Sequence, residues 1–230
     1  MTHAILVGAG GLGGPIALAL GRAGIELTIC DHDVVDLTNL HRQTQFTIAD
    51  LGEPKAIRLA GSVVARGGTA RGIVARWPTS HTVELADPCD LIIDASDDPA
   101  TKFSVADWAV ENGRHYVIAA ALRYGGNVMA GAPGAACYRC LFEEPAELPT
   151  CADAGVLGPV VGAIGGAAAA IALGLARGDR GFAGAVLAFD DLRVAADPRV
   201  VRFAPRRGCT ACARAPISPI AAPIRVAEEC

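Results

Sequence analysis

Four cysteines stand in two C-x-x-C pairs, Cys137 with Cys140 and Cys209 with Cys212, and 68 residues separate the pairs. Two thiolates from each pair complete a tetrahedral zinc site, and such a site is structural because no coordination position is left for water or substrate. The same spacing also serves redox dithiols. A second group of residues carries different chemistry. Gly8, Gly10 and Gly13 set out G-x-G-x-x-G, Asp31 follows 18 residues after Gly13, and Arg42, Lys55 and Asp97 add two cations and a carboxylate. A glycine turn that opens a helix presents backbone N–H groups to a phosphate, and a carboxylate at the end of the second strand accepts hydrogen bonds from ribose hydroxyls. Displacement at an α-phosphorus needs cations on the phosphates and a carboxylate for Mg2+, because negative charge gathers there. On their own, the glycines and Asp31 suit NAD, FAD or ATP equally, and a lone Arg or Lys usually just solvates a surface.

The elements that must position these groups follow from the hydrophobic pattern. Residues 5–7 are a short apolar run stopped by glycine, which reads as a buried strand, and residues 15–23 are apolar and long enough for a helix. Further strands are expected at 27–30, 71–76, 90–95, 116–121 and 126–130, and helices at about 54–65 and from the Ser96-Asp97-Asp98-Pro99 start signal to 111. Strands alternating with helices over the first 120 residues predict an α/β fold, a Rossmann-like, doubly wound, mostly parallel sheet whose ligands sit at the carboxyl ends of the strands. Asp31 and Asp97 then meet in one crevice despite the 65 residues between them. Strands at 185–189 and 199–203 predict a C-terminal antiparallel extension.

The net charge of −4, without basic runs, argues against nucleic acid as a main partner. Met1-Thr2-His3 leads straight into the first strand with no basic leader or cleavage site, so a cytoplasmic protein is expected. In that compartment eight cysteines read as ligands, nucleophiles or core residues, with Cys30 and Cys89 in the core. Residues 156–176 carry no charge over nearly a membrane's span, yet Pro159 and several weakly apolar glycines favour a buried helix. No membrane association is expected.

The ordered string Asp31-x-Asp33-x-Val35-x-x-Thr38-Asn39-Leu40-x-Arg42-Gln43, then Gly52-x-Pro54-Lys55 and Asp94-x-x-Asp97, resembles the ATP-binding core of the ThiF/MoeB/HesA family, bacterial relatives of ubiquitin-activating enzymes. The resemblance continues through both cysteine pairs and residues 151–162. It implies an adenylyltransferase that uses ATP, Mg2+ and a structural Zn2+. The partner it implies is a small ubiquitin-like sulfur-carrier protein ending in Gly-Gly, whose terminal carboxylate attacks the α-phosphorus and releases pyrophosphate. It further implies a separate sulfur donor protein and a homodimer.

By motif, Gly8, Gly10, Gly13, Asp31 and Asp33 belong to the nucleotide site, Asn39, Arg42 and Lys55 contact phosphates, and Asp97 binds magnesium. Cys151 matches a loop cysteine that thiazole-pathway members can bond to their carrier. On this reading residues 1–230 are a single domain, with a nucleotide-binding half at 1–135, a zinc-pinned carrier-binding half at 136–213 and a tail at 214–230. The sequence departs from the family in three ways. With the first strand expected at His3, the family's N-terminal arm and its Arg are expected to be missing, Asp98 stands for Asn, and Lys102 stands for Arg. Either a local Arg or another chain compensates, or the chain is a weakened or non-catalytic relative. Two other functions remain open to the residues: a NAD- or FAD-dependent oxidoreductase, and a non-catalytic module that docks a ubiquitin-like protein or peptide.

Overall fold

A computed structural model of the chain describes residues 2–86, 88–145 and 155–213. The elements in chain order are β1 (His3–Val7), α1 (Gly13–Arg22), β2 (Glu26–Cys30), α2 (Lys55–Val64), β3 (Ala70–Ile73), α3 (Ser80–Ala86), β4 (Leu91–Asp94), α4 (Pro99–Glu111), β5 (His115–Leu122), β6 (Gly125–Gly131), α5 (Tyr138–Leu141), α6 (Gly158–Ala176), β7 (Ala185–Phe189) and β8 (Arg199–Arg202). Among the described residues one eight-stranded sheet contains every strand, in the order β3-β2-β1-β4-β5-β6-β7-β8. From β3 to β5 all neighbours are parallel, and β6, β7 and β8 are added antiparallel. The expected parallel sheet with an antiparallel C-terminal extension is therefore present.

Side chains alternate across each strand, and the alternation divides the core. Leu6, Leu27, Ile29, Ile93, Val117 and Ala119 face one layer, made by α1, α2 and α6. Ile5, Val7, Ile92, Tyr116 and Ile118 face the other, made by α3 and α4 with Trp77 and Trp108. Both faces of the parallel region are covered, which is why its strands read as continuous apolar runs. Cys30 and Cys89 are buried in this core as expected. Helix α6 is long and apolar enough by composition to cross a membrane. Here Val160, Val161, Ile164, Ala168, Ala172 and Leu175 pack into the core, with the helix against α1 and β5.

Two local expectations change. Strand β3 stops at Ile73 instead of 76 because its partner β2 ends at Cys30, and the last ladder bond runs from the Asp31 N–H to the Ile73 carbonyl (3.1 Å). The crossover from β3 to β4 contains the short helix α3, which its polar residues had hidden.

Register sets the level at which the strands end. Val7 pairs with Cys30 on one side and Asp94 on the other, so Gly8, Asp31 and Ala95 emerge together at one edge. Order reverses there: β2 and β3 lie to one side of β1, β4 and β5 to the other, leaving the crevice of a doubly wound sheet.

Candidate functional site

The glycine turn between β1 and α1 is shaped by contact as well as by φ. Gly8 has φ +96°, and a Cβ on it would stand 2.9 Å from the backbone of Ala95 and Ser96. At Gly13 a Cβ would strike the Gly8 carbonyl. Any side chain at either position would push the turn off the ends of β1 and β4. Gly10 has a Cβ direction meeting only Gln43 Nε2, at 3.5 Å, so packing does not demand glycine there.

Asp31 is tied to this turn. Its Oδ2 accepts from the Ala9 N–H (2.7 Å) and its Oδ1 from the Asp33 N–H (2.8 Å). Each carboxylate oxygen retains a second lone pair for a hydroxyl. Asp33 in turn meets Lys55, whose Nζ lies 3.0 Å from Asp33 Oδ2. The Lys55 N–H also donates to the Asp33 carbonyl (2.9 Å), which sews the start of α2 to the loop after β2. Lys55 is buried, whereas Asp33 is half exposed. Burial opposes ionisation of Asp33. The Lys55 hydrogen bond and charge, with His32 and Arg76, outweigh it and hold the carboxyl below the usual range.

Asn39 ends a short 3-10 turn, Leu37–Asn39, capped by the Asp36 carboxylate accepting from the Thr38 N–H (2.8 Å), and Arg42 follows it, its N–H donating to the Asn39 carbonyl (3.1 Å). Arg42 Nη2 donates to Asn39 Oδ1 (2.5 Å), so the two act as one unit. The turn rests on the glycine loop: a Cβ on Gly11 would be 3.4 Å from the Arg42 carbonyl.

At the end of β4, Asp97 is exposed, and no hydrogen bond or ion pair holds its carboxylate among the described residues. Carboxylate oxygens left free in this way suit a hard cation such as Mg2+. Its neighbour Asp98 is occupied differently. It caps α4 by accepting from the Ala100 and Thr101 N–H groups (3.3 and 2.9 Å) and from the Thr101 hydroxyl (2.6 Å). Lys102 is no free cation either. Its buried ammonium gives all three donors away, to Asp94 Oδ2 (2.6 Å), the Ser96 carbonyl (2.6 Å) and the Ala119 carbonyl (2.8 Å).

Thus Gly8, Gly10, Gly13, Asp31, Asp33, Asn39, Arg42, Lys55 and Asp97 gather around one crevice. Cys151 lies outside the described residues. A residue missed in the sequence, Gln45, holds the glycine turn from above: its Nε2 donates to the Ala9 and Gly10 carbonyls (3.0 and 2.9 Å). It stands two positions past the recognisable motif, with no periodicity to flag it. A cavity of about 400 Å³ near Trp77, Phe103 and Trp108 is lined by none of these residues.

The four cysteines also converge. Sγ–Sγ distances are 3.8 Å for Cys137–Cys140, 3.5 Å for Cys137–Cys209 and 3.5 Å for Cys140–Cys212. A tetrahedron with Zn–S bonds of about 2.3 Å has edges of about 3.8 Å, so the spacing of the four sulfurs fits a zinc ion. Burial and neighbouring sulfurs push Cys137 up, and Cys212 up to about 11. At Cys209 burial also raises the thiol, but the Cys212 and Ala211 N–H groups, with the Cys137 and Cys212 side chains, bring it down to about 7. Without a cation, one thiolate raises the cost of the next; a divalent ion removes that conflict. The knuckle is fastened to the sheet and to α4. The Tyr138 N–H donates to the buried Tyr116 hydroxyl (2.8 Å), and Arg139 makes a bidentate pair with Asp107 (2.7 and 2.8 Å).

Comparison with known proteins places this geometry. The sequence profile of the ThiF family matches residues 1–211. A sulfur carrier protein adenylyltransferase of Thermus thermophilus is 35% identical over 226 residues, covering 92% of this chain and 82% of that protein. An adenylyltransferase and sulfurtransferase MOCS3 of Arabidopsis thaliana is 38% identical over 171 residues, 71% of this chain but only 37% of that protein. Among solved structures, E. coli MccB with AMPCPP and MccA superposes with a TM-score of 0.74 at 17% identity, over 92% of this chain and 66% of that one. At that identity the likeness speaks to fold alone. By the profile match and the identity to its relatives, the chain belongs to the ThiF family.

Proposed function

We propose that the chain binds ATP with Mg2+ in the crevice and adenylylates the C-terminal Gly-Gly carboxylate of a small ubiquitin-like sulfur-carrier protein. The carboxylate oxygen attacks the α-phosphorus, the bond to the bridging oxygen of the β-phosphate breaks, and pyrophosphate leaves with that electron pair. The acyl-adenylate is then open to sulfur from a separate donor. The observation that carries this reading is the convergence of Asp31, Arg42, Lys55 and Asp97, the last without a partner among the described residues, on one glycine turn, in a chain similar to a protein named sulfur carrier protein adenylyltransferase.

Each residue has a physical task. Asp31 fixes the ribose, and the turn amides and the α1 dipole receive phosphate. Arg42, steadied by Asn39, and Lys55 offset charge on the phosphates. Asp97 would hold magnesium, which supplies further charge neutralisation there. No general base is needed, because a carboxylate is ionised at neutral pH. Catalysis then consists of positioning and charge stabilisation. The four cysteines would hold Zn2+ and brace the C-terminal half. Cys151 stays a candidate for covalent contact with the carrier, and a homodimer is the proposed assembly.

The test is carrier-dependent ATP–pyrophosphate exchange. Asp97→Ala should keep the wild-type melting temperature, since no described residue bonds that carboxylate, and should abolish exchange. Full exchange in the variant would sink the assignment.

A further inference from the structure

Adenylation of the carrier, on which this inference rests, brings two anions together, the carrier's carboxylate and the triphosphate. Most cations near the crevice already have partners: Arg42 on Asn39, Lys55 on Asp33, and Lys102 on three acceptors. Arg123 does not. It is exposed, and no hydrogen bond or ion pair engages its guanidinium among the described residues.

Its backbone is unusual. Arg123 has φ +52°, the only positive φ outside glycine among the described residues. A long side chain rarely adopts that conformation, and such strain persists only where the surroundings over-determine it. The surroundings here are specific. The Arg123 N–H donates to the Gly155 carbonyl (2.9 Å), the Leu157 N–H donates to the Arg123 carbonyl (3.3 Å), and Arg123 bridges Val156 in parallel. The next residue, Gly158, opens α6 against the Arg42 segment: a Cβ on it would lie 2.9 Å from the His41 carbonyl. The β5–β6 turn, the start of α6 and the phosphate-contacting segment are therefore stacked on one another.

The position suits an incoming chain. Strand β5 runs past the level of Asp94 by four residues, 119–122, paired with β6, so Arg123 overhangs the edge where Gly8, Asp31 and Asp97 stand. It does so on the side of the zinc-pinned half. We propose that Arg123 binds the terminal carboxylate of the carrier tail and steers it past the acidic rim of Asp97 and Asp98 toward the α-phosphorus. Steering a like-charged group into such a site is what a free cation at the entrance accomplishes.

The experiment uses the full chain and a short fluorescent peptide ending in Gly-Gly, made as free acid and as C-terminal amide, titrated with a non-hydrolysable ATP analogue and Mg2+ present. Wild type should bind the acid at least tenfold more tightly than the amide. Arg123→Gln should lose that preference, Arg123→Lys should restore part of it, and affinity for the analogue should not move. Arg123→Gly is the control for folding: it relieves the positive φ, so it should melt at or above the wild-type temperature while still losing the preference. Equal binding of acid and amide by wild type, or a preference that survives in Arg123→Gln, overturns the proposal. Pyrophosphate exchange is scored separately, so its failure would count against the adenylation reading while an Arg123-dependent acid preference would stand.

Discussion

Replacing Lys102 by methionine removes the charged partner of a fully buried carboxylate. Asp94 has no exposed side-chain surface, Lys102 has 8%, and their charged atoms are 2.6 Å apart. The desolvation of both charges is offset by that contact and by the Ser96 and Ala119 carbonyls. Met fills much the same space but leaves Asp94 with the Ser96 hydroxyl (2.7 Å) and a weak contact to the Ser96 N–H (3.3 Å). Breaking a buried pair on one side costs about 3–5 kcal/mol. For a chain of this size each kcal/mol lowers the melting temperature by about 2–4 °C, so the deficit should be about 6–20 °C. Its pH dependence follows from the carboxyl. Burial pushes Asp94 up from the usual carboxylate range, against the pull of Lys102 and Ser96. Without Lys102 the folded protein holds it higher still, binding a proton that the unfolded chain releases. Stability is then lost as pH rises from the unfolded carboxylate value through the folded one, and the deficit grows from about pH 5 to about pH 8. Thermal melts monitored by circular dichroism at both pH values measure it, and the double variant Asp94→Asn, Lys102→Met should recover most of the loss. A Lys102→Met protein that melts within about 2 °C of wild type at the higher pH, or whose deficit shrinks as pH rises, would refute the buried-pair account.

Cys209→Ser should lower bound zinc from one per chain to a small fraction, measured by atomic emission, with a lower melting temperature. In the wild type acid should release the metal, since protons compete for thiols such as Cys212, pushed up to about 11. Gln45→Ala removes two hydrogen bonds from the glycine turn. Its expected cost is about 1–3 kcal/mol. Calorimetric titration should show weaker ATP binding, and unchanged affinity would assign Gln45 to the fold alone.

Much of the site was legible because chemistry with strict spacing is local. The glycine turn needs its glycines in order along one loop, and the string through Asp31, Asn39, Arg42 and Lys55 lies within 25 residues. The cysteine pairs announce themselves because two thiolates must reach one ion from adjacent turns. The strands showed because both faces of a parallel sheet are covered. Helix α3, short and polar, gave no such pattern, and β3 ended early because its partner did.

Residue types and local spacing thus determined by themselves the alternating architecture, the glycine turn, the four thiols and the candidate carboxylates and cations. Tertiary structure alone decided which charges remain free to act. Along the chain Lys102 and Arg123 are each a cation whose partners the sequence does not show. Packing buries the first among Asp94, Ser96 and Ala119 and leaves the second exposed on a strained turn above the crevice. A side chain's charge is local, but its partners come from strands and loops far away in sequence, and only the register of the sheet brings them together.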